Sequence, residues 1–194
     1  MKTLIFNGSP RKNGDTVSLI NIILEDLKGE YSLVNAYDCN ISPCIDCRYC
    51  RENPGCAVND GMQEVYEYIR DCDNIIIASP VHFSELTGKL LCVGSRLQAF
   101  DCAECFRNEK PFIRPKKGGI VLAGGGAGKP DRAVQTARIL LHSMNCVRIY
   151  ESVCSLNTDR IPAADDINVA GQLHGLAAFL NGQRGMAVTE AGQV

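Results

Sequence analysis

The chain carries almost no net charge: 20 lysines and arginines against 22 aspartates and glutamates leave −2 at pH 7. Such a balance offers no general attraction to nucleic acid or anionic lipid, so neither is expected as a partner. No apolar run is long enough to cross a bilayer, and the chain enters a strand-like stretch without the pattern of a secretory signal. A cytoplasmic location is the corresponding expectation. Two nucleotide fingerprints are missing as well. No G-x-G-x-x-G follows the first apolar run, which removes the usual dinucleotide motif. A triphosphate P-loop needs four residues between its glycines and then Lys and Ser or Thr; here five separate Gly8 from Gly14, and Asp15 follows.

The remaining composition, 45% hydrophobic and 22% charged over 194 residues, is that of one soluble globular domain with a substantial core. Short apolar runs at residues 2–6, 31–36, 74–79 and 118–123 read as strands, and 147–153 alternates enough to suit an edge strand. Between them, apolar residues recur at helical spacing. Val17, Ile20, Ile23 and Leu27 mark the first helix, Met62, Val65, Tyr66 and Ile69 the second. A third covers about 86–100, Ala133, Ala137, Leu141 and Met144 mark the fourth, and Ile167, Ala170, Leu173, Ala177 and Leu180 the last. Strands alternating with helices predict an α/β fold: a flavodoxin-like, doubly wound, five-stranded parallel sheet of order 2-1-3-4-5 with helices on both faces. One domain is expected over 1–182, with a cysteine-rich insertion at about 37–59 and a mobile tail over 183–194.

In such sheets ligands bind outside the carboxyl ends of the strands, so the loops after the first, third and fourth strands should converge. The first runs Asn7-Gly8-Ser9-Pro10-Arg11-Lys12-Asn13-Gly14-Asp15-Thr16 and opens a helix. First-turn N–H groups have no partner inside the helix, and its dipole adds about half a positive charge, so the loop is a candidate anion site. Ser9 and Thr16 offer hydroxyl donors, and Arg11 a planar fork suited to phosphate oxygens. An ordinary turn capped by Asp15 is the plainer alternative.

This run resembles the FMN-phosphate loop of the flavodoxin-like NADPH-dependent FMN reductase family. The resemblance implies FMN as cofactor, with Ser9, Arg11, Asn13, Gly14, Asp15 and Thr16 around its phosphate. Family members more often carry Asn where Asp15 stands; a carboxylate repels phosphate, so Asp15 is expected to turn away and offer only its backbone. The segment Ser79-Pro80-Val81-His82-Phe83 is similar to the family stretch bordering the isoalloxazine ring, which implies Pro80, Val81, His82 and Phe83 as flavin contacts. Many relatives have Tyr at the position of His82, and a partly buried histidine at a strand end is the alternative there. Gly124, Gly125, Gly126 and Gly128 permit positive φ and close approach to a flat ligand. Alone they make a strand-to-helix turn; with the resemblance they form the far wall of the FMN pocket.

Eleven cysteines, an odd number, argue against a disulfide framework and toward metal, cluster or redox chemistry. Cys44-x2-Cys47-x2-Cys50-x5-Cys56 shares its first three spacings with bacterial ferredoxin loops that wrap one [4Fe–4S] cubane. Followed by Asn59-Asp60-Gly61-Met62, it resembles the compact cysteine motif of the iron–sulfur flavoproteins, flavodoxin-fold relatives that move electrons between a cluster and FMN. Four-thiolate zinc, a Cys44–Cys47 dithiol and a loop without metal remain the alternatives. Cys102 and Cys105 read as reduced surface thiols, and Cys39, Cys72 and Cys146 as small core residues. Cys154 and Arg160 match a bare phosphatase spacing but lack its glycines and helix. The expected activity is FMN-dependent oxidoreduction or electron transfer to a small-molecule acceptor. Electrons come from NAD(P)H or, through the cluster, from ferredoxin; no protein residue need act as acid, base or nucleophile. A homodimer or homotetramer is the assembly the family implies. The alternatives are a flavin-only quinone or aromatic-substrate reductase, a passive redox carrier, and a metal-binding module.

Overall fold

The computed structural model describes residues 1–109, 114–183 and 188–190. Its first strand, β1 (Lys2–Asn7), is buried from Thr3 onward, as a strand covered by helices on both faces must be. It leads into α1 (Asp15–Asp26) and β2 (Glu30–Asn35). The cysteine-rich connection contains one short turn of helix, α2 (Tyr49–Glu52), before α3 (Met62–Asp71) and β3 (Asn74–Pro80). Next come α4 (Gly88–Gly94), a 3₁₀ turn over Ser95–Leu97, and α5 (Gln98–Arg107). The chain continues through β4 (Lys116–Gly124), α6 (Asp131–Ser143), β5 (Cys146–Tyr150), β6 (Val153–Leu156), α7 (Ile167–Leu180) and β7 (Val188–Glu190).

The strands pair in the order β2-β1-β3-β4-β5-β7, with β6 on the far half of β4. Pairing is parallel throughout except between β5 and β7. The predicted order 2-1-3-4-5 therefore stands, and two details differ. The predicted edge strand is two strands: β5 pairs the start of β4, β6 pairs its end, and Glu151–Ser152 carry the chain between them. The single third helix is broken at Ser95–Leu97, and α5 runs on through Arg107 into what reads as a polar stretch. Within the expected tail, residues 188–190 lie on β5; the residues on either side are outside those described.

Period-two alternation sorts the strand residues between two cores. Leu4, Phe6, Ile75, Ile77, Ile120 and Leu122 face α3 to α6, whereas Ile5, Ile76, Ala78 and Val121 face α1 and α7. Both sheet faces are thereby dry, and the polar loops are left at the strand ends.

Candidate functional site

The loop after β1 is shaped before any ligand arrives. Ser9 N donates to Asn7 Oδ1 at 2.9 Å, and Ser9 Oγ donates to the Arg11 carbonyl at 3.1 Å while accepting from Arg11 N at 3.2 Å. Gly14 opens α1, and no side chain caps that helix end, so its first N–H groups stay available to an anion. Asp15 does turn away: its Oδ1 accepts the Ala163 N–H at 3.0 Å, on the turn before α7. Thr16 is buried, and Arg11 and Asn13 are exposed.

This loop is locked to the one after β3. Gly8 N donates to the Ala78 carbonyl at 2.8 Å, Thr87 Oγ1 donates to the Gly8 carbonyl at 2.8 Å, and Thr87 N donates to Ser79 Oγ at 3.2 Å. A Cβ at Gly8 would lie 2.9 Å from Leu90 Cδ2, Ser79 Oγ and Thr87 Oγ1, so glycine here is a packing requirement. Beyond Pro80, His82 and Glu85 exchange backbone hydrogen bonds around Phe83 and Ser84, whose φ angles are +53° and +64°. Left-handed backbone at two side-chain-bearing residues is strained, and neighbours hold it. The Ser84 carbonyl accepts from Ala133 N, and Glu85 Oε2 accepts from Thr136 Oγ1 at 2.9 Å. Phe83 is fully exposed at the tip, and His82 is exposed as well, which disposes of a partly buried histidine.

The glycine loop after β4 works by closeness, not by handedness. None of Gly124, Gly125, Gly126 and Gly128 adopts positive φ, contrary to one use expected of them. Gly126 and Gly128 face open space, whereas a Cβ on Gly125 would fall 2.6 Å from Asp159 Oδ2. That partner was not legible in the sequence. β6 delivers Asn157, Thr158 and Asp159, whose N–H groups bind the carbonyls of Gly126, Gly124 and Gly125. Val81 N closes the circuit by donating to the Ala123 carbonyl at 2.7 Å. Four loops, one more than expected, thus meet at the carboxyl end of the sheet.

The cysteine loop docks elsewhere, on the joint between α4 and α5. Cys44 N donates to Ser95 Oγ at 2.9 Å, the Arg51 guanidinium lies 4.6 Å from the Phe106 ring centroid, and Arg107 Nη1 donates to the Cys50 carbonyl. Cys44, Cys47, Cys50 and Cys56 all line one cavity of about 260 Å³. A fifth thiol, Cys102 on α5, lines it too; it is buried beside Cys50 and is no surface thiol. Burial and this neighbour push the Cys50 thiol up to about 11. All eleven cysteines are free. Among the described residues, no three His, Cys, Asp or Glu side chains converge on a point as the ligands of a single ion.

Arg96 closes that cavity, and it is 1% exposed. Its Nη1 donates to the Ser42 carbonyl at 2.9 Å and to Asp60 Oδ2 at 2.8 Å, and its Nη2 donates to the Val58 carbonyl at 3.0 Å. Both stems of the cysteine loop are therefore stapled by one guanidinium. Burial would push the Asp60 carboxyl up, but Arg96 and the N–H groups of Ser42 and Met62 outweigh it and hold the group below its usual range. Cys72 and Cys146 are buried core thiols as expected, and Cys39 is half-buried. The only sequence signal for Arg96 was a charge set among Leu90, Val93 and Leu97 on a helix flank.

Comparisons with known proteins bear on this architecture. Residues 1–159 match the model of the NADPH-dependent FMN reductase family. An iron-sulfur flavoprotein of Methanocaldococcus jannaschii is 29% identical over 150 residues, 74% of each chain. Another, of Methanosarcina thermophila, is 29% identical over 146 residues, 73% of each chain. Among solved structures, an apo NADH:FMN oxidoreductase superposes with a TM-score of 0.63 at 19% identity, covering 92% of this chain and 87% of its own. An FMN-dependent NADH-azoreductase from Bacillus anthracis, in complex with FMN, gives 0.62 at 16% identity, covering 93% and 99%. At those identities the structures attest the flavodoxin-like sheet, and the sequence match attests more: this chain belongs to the NADPH-dependent FMN reductase family of flavin oxidoreductases.

Proposed function

We propose that the chain is an FMN-dependent electron-transfer oxidoreductase in which the cysteine loop holds a [4Fe–4S] cluster. The observation that carries the cluster is the cavity onto which Cys44, Cys47, Cys50 and Cys56 open together, on a member of a flavin reductase family. Four thiols around a space of about 260 Å³ suit a cubane better than a single ion, which requires ligands gathered at about 2.3 Å from one point. Curated relatives carrying the name iron-sulfur flavoprotein support the same reading.

For the flavin, the fit rests on the four converging loops. First-turn N–H groups of α1 and the Arg11 fork bind the phosphate, with Ser9, Asn13, Gly14 and Thr16 shaping the loop. Asp15 contributes its backbone, because its carboxylate is committed to Ala163. Pro80, Val81, His82 and Phe83 border the ring on one side, and Gly124, Gly125, Gly126 and Gly128 admit it on the other. FMN, when bound, supplies hydride and single-electron chemistry; the protein binds, orients and excludes water. NAD(P)H or a ferredoxin serves as donor and a small molecule as acceptor, in a cytoplasmic homodimer or homotetramer. No helix among the described residues is long and apolar enough to cross a membrane.

The test is the visible spectrum, iron and sulfide of anaerobically reconstituted protein, compared with Cys47→Ser. Wild type should hold flavin, iron and sulfide, and the variant should keep FMN while losing or converting the cluster. Near-zero iron in both removes the cluster. It leaves the second reading, a flavin-only NAD(P)H reductase of quinones or aromatic substrates, which the lack of a converged three-ligand group among the described residues favours.

A further inference from the structure

The Arg96 side chain is fully buried, yet its Nε has no hydrogen-bond partner. Leaving a buried guanidinium N–H unpaired is costly, and charged groups cost more than neutral ones. Nη1 and Nη2 alone make the bonds to Ser42, Asp60 and Val58, so the staple of the loop stems does not need Nε. Arg96 lines the cavity with the five thiols, and its charge reaches Cys56. Asp60 holds the guanidinium by Nη1, one edge of the fork, and leaves the Nε–H outside that pair.

Taking the cluster reading as its basis, we infer that Arg96 is a positioning residue whose Nε–H hydrogen-bonds a sulfur of the cluster at the Cys56 corner. A cubane with four thiolates is an anion that becomes more negative on reduction, and hydrogen bonds and positive charge at its sulfurs favour the reduced form. Arg96 thereby makes the cluster easier to reduce by an incoming donor. A purely structural staple would alter how much cluster loads, not the potential of what has loaded.

The experiment uses the full chain, anaerobically reconstituted, with redox titration followed by the EPR signal of the reduced cluster. In Arg96→Gln, the one-electron equilibrium of the loaded cluster should move at least tenfold toward the oxidised form, a fall of about 59 mV. A loaded variant with an unchanged midpoint overturns the assignment. If Arg96→Gln fails to fold or load, wild type decides: protein grown on arginine labelled with ¹⁵N in its guanidino group should show a weak ¹⁵N coupling to the reduced cluster. Arg48 and Arg51 also line the cavity, so the coupling must vanish in Arg96→Lys. Its absence from wild type, or its persistence in the lysine variant, overturns the inference. Wild type without iron and sulfide overturns the cluster reading itself, which is a distinct result.

Discussion

Gly8→Ala should damage the fold and the flavin site together. The new methyl would sit 2.9 Å from three atoms, on Leu90, Ser79 and Thr87, where ordinary contacts begin near 3.4 Å. Leu90 and Thr87 are 2% and 0% exposed, so neither can swing into solvent. Overpacking of this kind costs about 1–3 kcal/mol. Displacing the loop also strains the Thr87 Oγ1 bond to the Gly8 carbonyl, which adds about 1 kcal/mol. The sum, about 2–4 kcal/mol, lowers the melting temperature by roughly 5–15 °C for a domain of this size. Gly126→Ala is the control: its Cβ would enter open space, and the change should fall within about 1 kcal/mol of wild type, on the stabilising side. Both variants should be melted as apoprotein and then titrated with FMN, where Gly8→Ala should bind more weakly because Ser9 and Arg11 ride on the displaced loop. Equal melting of Gly8→Ala and wild type would refute the packing argument.

Arg11→Ala should lower FMN affinity by about 1.5–3 kcal/mol, roughly ten- to hundredfold, while riboflavin binds both proteins alike; fluorescence titration of the two flavins checks this. Asp60→Asn leaves Arg96 without its counter-charge and should cost about 3–5 kcal/mol at neutral pH. Because the Asp60 carboxyl is depressed in the folded protein, its contribution is complete above the unfolded value and is lost as pH falls through the folded one. The difference between wild type and variant in urea melts should therefore shrink below about pH 4. Ser84→Gly removes one side chain from left-handed backbone, a relief of about 1–2 kcal/mol less glycine's own entropy cost of about 0.5–1. A melting temperature no higher than that of wild type would show that Glu85 and Thr136 do not hold a strained turn.

Strands β1 to β4 were legible because each is a short apolar run with turn chemistry at its end, and the βα loops follow from the sheet order. Asp15's retreat was legible too, from its charge once the family resemblance had implied a phosphate beside it. Pattern reading failed where a side chain's role depends on a partner far away in sequence. Asp159 crowds Gly125 only because β6 returns to β4, and Cys102 joins the loop thiols only because α5 continues past the predicted end of its helix. Apolar periodicity runs from Leu86 to Phe100 without a gap, so nothing local announced the 3₁₀ turn that presents Ser95 and Arg96.

That turn also sets a spacing. Thr87, at the amino end of α4, grips the loop after β1, and Ser95, at its carboxyl end, grips the cysteine loop. Eight residue steps separate them, about 12 Å at 1.5 Å per residue. One short helix is thus a gauge, fixing both the gap and the relative azimuth of the two anchor points. Lengthening α4 by a single residue would push the anchors apart by about 1.5 Å and rotate one about 100° around the helix axis relative to the other. Exposed positions of α4 such as Lys89 can therefore change, whereas insertions there should be barred as strictly as in a gear train.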